Sequence, residues 1–329
     1  MWRSGTGSSR IDRLRRLIRL SPLIAAFAGY TYASYRRDIR DAYDRLADFD
    51  RDAVDTDAGR LEYVDIGEGE PLLLVHGGVG GFDQALELGA SYLEAGYRGI
   101  APSRFGFLGS TAPSDPTPRR QADAFVELLD HLDIDAVTVI AWSMGGPSAV
   151  QLALRHPERV RRLVLVSITV SPTDPIPITP PKRLVRILCG SNLLHWLIMG
   201  PLRPITTRAI VPGSYHLTVA DRRVVRDVLK RTFPIEPRVA GIVTDLHVTS
   251  PDLERHPDSY RFESLRTPTL LVTARDDPIV NYDDIEWLYD RLPQAKLVTI
   301  EHGGHLLLGS GRRVTETVTE FIQGQDLPS

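Results

Sequence analysis

Four short stretches of this chain carry residue types that could act together on a carbonyl group. Ala141-Trp142-Ser143-Met144-Gly145-Gly146 sets a serine with small residues two positions away on either side, and His76-Gly77-Gly78 is a glycine-rich turn. Asp276-Asp277-Pro278-Ile279-Val280 offers two adjacent carboxylates, and Glu301-His302-Gly303-Gly304-His305 offers two imidazoles. A serine hydroxyl is a weak nucleophile until a base takes its proton, and an imidazole base works best when a carboxylate fixes its tautomer. A glycine-rich turn can supply a backbone N–H to the oxyanion that forms when the hydroxyl adds to a carbonyl. The chemistry these residues could do together is acyl transfer.

The elements around them put all four on one edge of a sheet. Leu72-Leu73-Leu74-Val75 is apolar throughout, as is a strand covered on both faces, and Pro71 opens it. His76 follows it directly. Residues 135–141 read as a second buried strand that gives way at Ser143 to a helix over about 144–156, so the serine sits in a strand-to-helix turn. Thr269-Leu270-Leu271-Val272-Thr273 precedes the two aspartates, and Lys296-Leu297-Val298-Thr299-Ile300 precedes the two histidines. Further strands are expected at 61–66, 99–101 and 162–167, with helices at about 83–95, 119–132, 283–292 and 312–323. Strands alternating with helices predict an α/β fold with a doubly wound, mostly parallel sheet.

One interval breaks that alternation. About a hundred residues without an expected strand separate Ser167 from Thr269, too many for a simple loop. We read 171–262 as a helical cap inserted over the carboxyl ends of the strands, where ligands bind in such sheets. The core then comprises 58–170 and 263–329, and residues 1–57 form a basic, apolar N-terminal segment with a charged helical connector over 38–57. Trp142, Trp196 and Met199 are candidates to line an apolar acyl pocket, though core packing explains them as well. Phe105, in the stretch Pro102–Phe107, either borders the pocket or belongs to a structural turn.

Taken in order along the chain, these motifs resemble those of the α/β-hydrolase fold family over residues 60 to 325, with Ala141 standing where the family's G-x-S-x-G has its first glycine. The resemblance implies a serine-dependent hydrolase of an ester, lactone, thioester or related carbonyl compound, working without a cofactor through an acyl-enzyme. It implies Ser143 as nucleophile, His305 as base, Asp277 as supporting acid, and the Gly78 and Met144 N–H groups as the oxyanion hole. His302 competes with His305, and Asp174 with Asp277, while His76 reads as structural. Ser143 argues against the family's aspartate-nucleophile dehalogenases and epoxide hydrolases. The same triad could instead serve carbon–carbon bond hydrolysis, peptide cleavage, perhydrolysis or acyl transfer, and a non-catalytic binding protein is the rival from another class.

Composition narrows the remaining classes. A hydrophobic share of 42% suffices for a large core, and with one cysteine, Cys189, no intrachain disulfide can form. The other histidines lack metal-ligand spacing, so no metal is expected. The glycine-rich turn at 77–81 lacks the Lys-Ser/Thr of a P-loop. Arginine outnumbers lysine 36 to three, yet no basic face interleaved with aromatics marks a nucleic-acid binder. The expected partner is a small-molecule acyl substrate. Residues 1–40 hold nine arginines against two aspartates, and the apolar run Leu20–Tyr35 spans 16 residues. That is short for a bilayer-spanning helix. Residues 10–37 therefore read as a short membrane anchor, an interfacial segment on anionic lipid, or a helix packed on the domain, giving a membrane-associated or cytoplasmic protein.

Overall fold

The computed structural model describes residues 8–170, 179–199 and 203–325. Eight strands form one sheet: β1 (Asp52–Thr56), β2 (Gly59–Ile66), β3 (Pro71–Val75), β4 (Arg98–Pro102), β5 (Val137–Trp142), β6 (Val160–Val166), β7 (Thr269–Ala274) and β8 (Ala295–Ile300). Their spatial order is β1-β2-β4-β3-β5-β6-β7-β8. β2 runs antiparallel to β1 and β4, and the other pairings are parallel. Side chains alternate across a strand, so a run such as Leu72-Leu73-Leu74-Val75 feeds two cores at once. Leu73 and Val75 join Phe125, Leu128 and Val150 on one face, and Leu72 and Leu74 join Phe82, Leu86 and Phe321 on the other. This explains why the run has no polar residue.

Parallel pairing from β3 through β8 carries the chain out of the sheet at the same edge each time. His76–Gly78 follow β3, Ser143 follows β5, Asp276 and Asp277 follow β7, and His302–His305 follow β8. The doubly wound sheet expected from the sequence is the one observed. One reading of the sequence needs correction. The stretch 38–57 is not a single helical connector: the helix Ser8–Ala47 ends, and Asp52–Thr56 adds an edge strand to β2. Only Val54 of that strand is buried, so its composition carries too little alternation to stand out. The helix expected over 83–95 is two helices, Phe82–Leu88 and Ala90–Glu94, parted at Gly89, where a Cβ would lie 2.7 Å from Leu74 Cδ1.

Between β6 and β7 the described residues contain no strand. They form the helices Lys182–Cys189, Asn192–Met199, Arg203–Arg208, Val219–Arg231, Val239–Thr244 and Asp252–Arg255. A fully buried ion pair fastens this insertion to the sheet edge: Arg238 Nη2 lies 2.8 Å and Nη1 3.1 Å from the Asp83 carboxylate, and Nη1 also donates to the Gly80 carbonyl. Arg45 of the N-terminal helix approaches the same carboxylate at 3.7 Å and donates to the Phe233 carbonyl at 2.6 Å. Three segments thus converge on Asp83. The far end of the N-terminal helix is anchored by buried Ala42 and Leu46. No helix of the described residues is long and apolar enough to cross a membrane.

Inside the insertion, Thr232 gives its hydroxyl proton to the Leu229 carbonyl, so His195 Nε2 must donate to Thr232 Oγ1 at 2.9 Å. Burial, reinforced by the charge of Arg238, lowers the His195 pKa to about 4.

Two outcomes follow from these anchors. Asp83→Ala would leave the buried Arg238 guanidinium without its countercharge and is expected to cost about 3–5 kcal/mol in urea unfolding. A loss near zero would mean that the insertion is held by something else. His195 is neutral in the folded chain down to about pH 4, whereas in the unfolded chain it protonates near its ordinary 6.5. The unfolded state therefore binds more protons between those values, and stability is lost as pH falls from 6.5. At pH 5 that loss should be about 2 kcal/mol from this residue. The difference in pH slope between wild type and His195→Gln measures it.

Candidate active site

Ser143 occupies a backbone conformation that side-chain-bearing residues avoid. Its φ is +47°, in the one-turn helix Ser143–Gly145 that joins β5 to the helix Gly146–Arg155. Such a residue costs of order 1–3 kcal/mol and persists only where its surroundings over-determine it. Here the surroundings are the two glycines that follow. A Cβ on Gly145 would lie 2.7 Å from the carbonyl oxygens of both Val75 and His76, and one on Gly146 would lie 2.7 Å from Ile168 Cβ. The helix can start this close to the end of β3 and to Ile168 only because both positions lack a side chain. The Thr169 N–H holds the Ser143 carbonyl at 3.3 Å.

His305 and Asp277 complete a chain of hydrogen bonds to the serine. Asp277 Oδ1 accepts the backbone N–H groups of Ile279 at 2.8 Å and Val280 at 3.1 Å, which aims its other oxygen at the imidazole. His305 Nδ1 lies 2.8 Å from Asp277 Oδ2, and a carboxylate can only accept, so Nδ1 carries the proton. Nε2 is then a bare acceptor, 3.1 Å from Ser143 Oγ. The Asp277 carboxylate is fully enclosed. Its neighbour Asp276 has a separate task, accepting the N–H groups of Gly304 at 2.9 Å and Gly303 at 3.3 Å. Those glycines turn the backbone at φ +137° and +60°, and His305 swings toward the serine as a result. His302 faces outward on Asp276, its side chain 78% exposed, and does not join the chain. Asp174 lies outside the described residues.

The turn after β3 abuts the serine from the other side. A Cβ on Gly77 would lie 3.1 Å from Ser143 Cβ, and one on Gly78 would lie 3.4 Å from Met144 Cγ. Gln84 accepts the Gly77 N–H at 2.9 Å, which leaves the Gly78 N–H outside that bond. His76 is buried, and its Nε2 accepts the Arg104 N–H at 2.9 Å, so Nδ1 is the protonated nitrogen and donates to the Gly77 carbonyl at 2.7 Å. Burial, with the nearby charge of Arg104, holds the His76 pKa well below the ordinary histidine value. It is neutral and fully bonded, and no proton acceptor remains on its ring.

Arg104 is the residue that ties this turn down. Its guanidinium donates to the carbonyls of His76 and Gly77, each at 3.0 Å, and forms a bidentate pair with Asp245 at 2.7 and 2.8 Å. Both partners are buried. Burial pushes the Asp245 carboxyl pKa up, against the opposing pull of Arg104. Asp245 begins a π-helical turn in the insertion, Asp245–Thr249, and its Oδ2 is 4.0 Å from where a Gly78 Cβ would sit. Neither residue was singled out from the sequence, because 141 positions separate them and no local pattern links them.

The candidate pocket residues fare differently from one another. Trp142 is half-buried against the cluster containing Phe82 and Leu307. Met144 is buried beside Thr169, whose hydroxyl lies 2.9 Å from its sulfur. Met199 is half-buried against the cluster of Val211, Val225, Leu229 and Leu308. Phe105 instead points into the core beside Ala122 and Phe125, and Trp196 donates to Asp38 Oδ2 at 2.9 Å and stacks edge-on against Tyr35. These two placements correct the reading of Phe105 and Trp196 as pocket walls: one fills the sheet's underside, the other docks the N-terminal helix. Among the described residues, no group of three His, Cys, Asp or Glu side chains could hold a metal ion.

A strained serine at a strand–helix turn, on the carboxyl edge of this sheet order, defines a class, and comparison with known proteins agrees with it. The alpha/beta hydrolase fold family model matches residues 70–186, and a TAP-like protein model matches 249–329. The chain is 31% identical over 241 residues to the pimeloyl-[acyl-carrier protein] methyl ester esterase of Aromatoleum aromaticum, a match covering 71% of this chain and 90% of that one. It is 30% identical over 276 residues to the 2-hydroxymuconate semialdehyde hydrolase of Pseudomonas putida, covering 81% and 92%. Among solved structures, an α/β hydrolase fold protein from Nakamurella multipartita superposes with a TM-score of 0.60 at 27% identity, over 81% of this chain and 98% of that one. The chain belongs to the α/β-hydrolase fold family, and it is a hydrolase.

If Arg104 positions the 76–78 turn through its fork, a point charge cannot replace it. Arg104→Lys is expected to fold and to lose about 10–100-fold in kcat, with KM little changed, when hydrolysis of a model ester is followed. Equal loss in a thermal-stability assay and none in kcat would assign Arg104 a purely structural part.

Proposed function

We propose that this chain is a serine hydrolase cleaving an ester, lactone, thioester or related carbonyl compound through an acyl-enzyme. The observation that carries the reading is the bonded series Ser143–His305–Asp277, with 3.1 Å and 2.8 Å links and a tautomer that leaves Nε2 free to accept. Ser143 Oγ adds to the substrate carbonyl as its proton passes to His305 Nε2. The Asp277 carboxylate, fixed by two backbone N–H groups, stabilises the resulting imidazolium. Oxyanion charge develops beside the Gly78 and Met144 N–H groups, which lie on segments packed directly against each other. Each such donor is worth about 3–4 kcal/mol in the transition state. His305 then returns the proton to the leaving group, and a water molecule, activated by the same imidazole, releases the acyl group. No step calls for a cofactor.

The insertion between β6 and β7 is read as a cap whose residues set substrate choice. Its contacts with the turn after β3, through Arg238 and the Gly80 carbonyl, with the helix that follows, through Arg238–Asp83, and with Arg104, through Asp245, support that position. Hydrolysis of a carbon–carbon bond is the second reading, favoured by similarity to a 2-hydroxymuconate semialdehyde hydrolase; it would use the same three residues on a different substrate. A panel of aryl esters, lactones and vinylogous diketones separates the two.

The serine assignment is checked by labelling with a fluorophosphonate probe. Folded wild type should label and Ser143→Ala should not, with ester turnover falling by at least about a thousandfold in that variant. Labelling that persists in Ser143→Ala would move the nucleophile elsewhere.

A further inference from the structure

The first two helices of the insertion turn apolar side chains outward. Leu184, Ile187 and Leu188 recur at helical spacing on Lys182–Cys189, and Ile187 is 57% exposed, while Val185 alone on that helix is buried. Leu193 and Leu197 do the same on Asn192–Met199, whose opposite side buries Asn192 and His195. The two helices touch each other. Large apolar groups gathered like this on a surface mark a binding face. The charge between them has one sign: Lys182, Arg183 and Arg186 are all exposed, and residues 182–199 contain no aspartate or glutamate.

The N-terminal helix extends the same chemistry. It is pinned to Asn192–Met199 by the Tyr35–Trp196 contact, with ring centroids 6.0 Å apart, and by the Trp196–Asp38 bond. On the N-terminal side of that junction Phe27 and Tyr30 are each 73% exposed, and at the junction itself Arg36 and Arg37 are exposed. Two acidic groups stand at the junction and both are engaged: Asp38 by Trp196 and Arg37, and Glu236 by the Asn192 N–H at 3.1 Å. Helices with an aromatic and aliphatic face and arginine or lysine alongside lie in the plane of a membrane surface rather than across it.

We propose that Leu184, Ile187, Leu188, Leu193 and Leu197, together with the exposed face of the N-terminal helix, form a docking surface for an anionic phospholipid membrane. The occupant is argued from charge: basic side chains interleave with the apolar ones, and acidic ones are missing from 182–199. Docking there would bring the membrane within one helix layer of the site. Val185, on the inner side of Lys182–Cys189, packs with Ile242 and Val243, and the next residues of that segment lead to Asp245 beside the Gly78 turn. For substrate, this rests on the serine-hydrolase reading and narrows it to acyl esters dissolved in lipid; the docking itself does not.

Cosedimentation of the full chain with vesicles tests it. Phosphatidylcholine vesicles carrying phosphatidylglycerol should retain the protein at least about tenfold better than phosphatidylcholine alone, and added salt should weaken that retention. Ile187→Asp combined with Leu188→Asp, both on exposed positions, should reduce binding about tenfold while fluorophosphonate labelling in solution stays at the wild-type level. The same variant should lose turnover of a long-chain ester held in anionic vesicles but not of a short soluble ester. Ser143→Ala should bind vesicles like wild type, so loss of the chemistry and loss of docking are told apart. Wild type left in the supernatant with both vesicle types would overturn the proposal, as would undiminished binding by the double variant. A concentration-dependent dimer abolished by that variant, without vesicle binding, would assign the face to a second copy of the chain.

Discussion

Much of this molecule can be understood as what is required to hold one serine in a left-handed backbone conformation. Ser143 sits at φ +47°, and a lone residue of that kind relaxes unless both flanks are fixed. On one flank β5 is hydrogen-bonded between β3 and β6, buried along nearly its whole length. On the other, Gly145 and Gly146 let the following helix press against the end of β3 and against Ile168. The buried apolar runs of the central strands stabilise that arrangement, and the adjacency of β3 and β5 is what sets the Gly77–Gly78 turn against the serine.

The surrounding polar groups act on backbone as much as on side chains. Asp276 and Asp277 are neighbours in sequence with different duties: Asp277 orients the imidazole, and Asp276 bonds the glycine turn that delivers it. Arg104 grips the carbonyls of the 76–78 turn, while Gln84 takes one of its N–H groups. Buried ion pairs seldom add much net stability over apolar packing of equal volume, but they tolerate only one geometry. Two of them, Arg104–Asp245 and Arg238–Asp83, join the insertion to the sheet edge, which is where positional accuracy matters most.

The stretches holding Ser143, Asp277 and His305 were legible in the sequence because each directly follows an apolar strand, so the sheet topology decides where they emerge. Local chemistry also separated the two histidines: Gly303 and Gly304 free His305 to turn inward. Features resting on distant partners were not legible. Asp52–Thr56 is an edge strand with one buried residue and is recognisable only from its pairing with β2. Arg104 and Asp245 find each other across 141 positions. Trp196 looked like a pocket wall because an aromatic in an apolar stretch has no address until its neighbours are known, and its neighbours turned out to be Tyr35 and Asp38.

The pair joining Arg104 to Asp245 bears on how such a protein can diversify. Insertions between two strands are often treated as interchangeable modules, exchanged to alter what an enzyme accepts while the scaffold below is left alone. Here the scaffold's arginine has its countercharge on the module. A grafted replacement lacking a carboxylate at that place would strand a cation under the 76–78 turn and disturb the region nearest the serine. Replacing the insertion without that disturbance calls for an acidic group at the same place, or for a paired change that neutralises Arg104 at the same time.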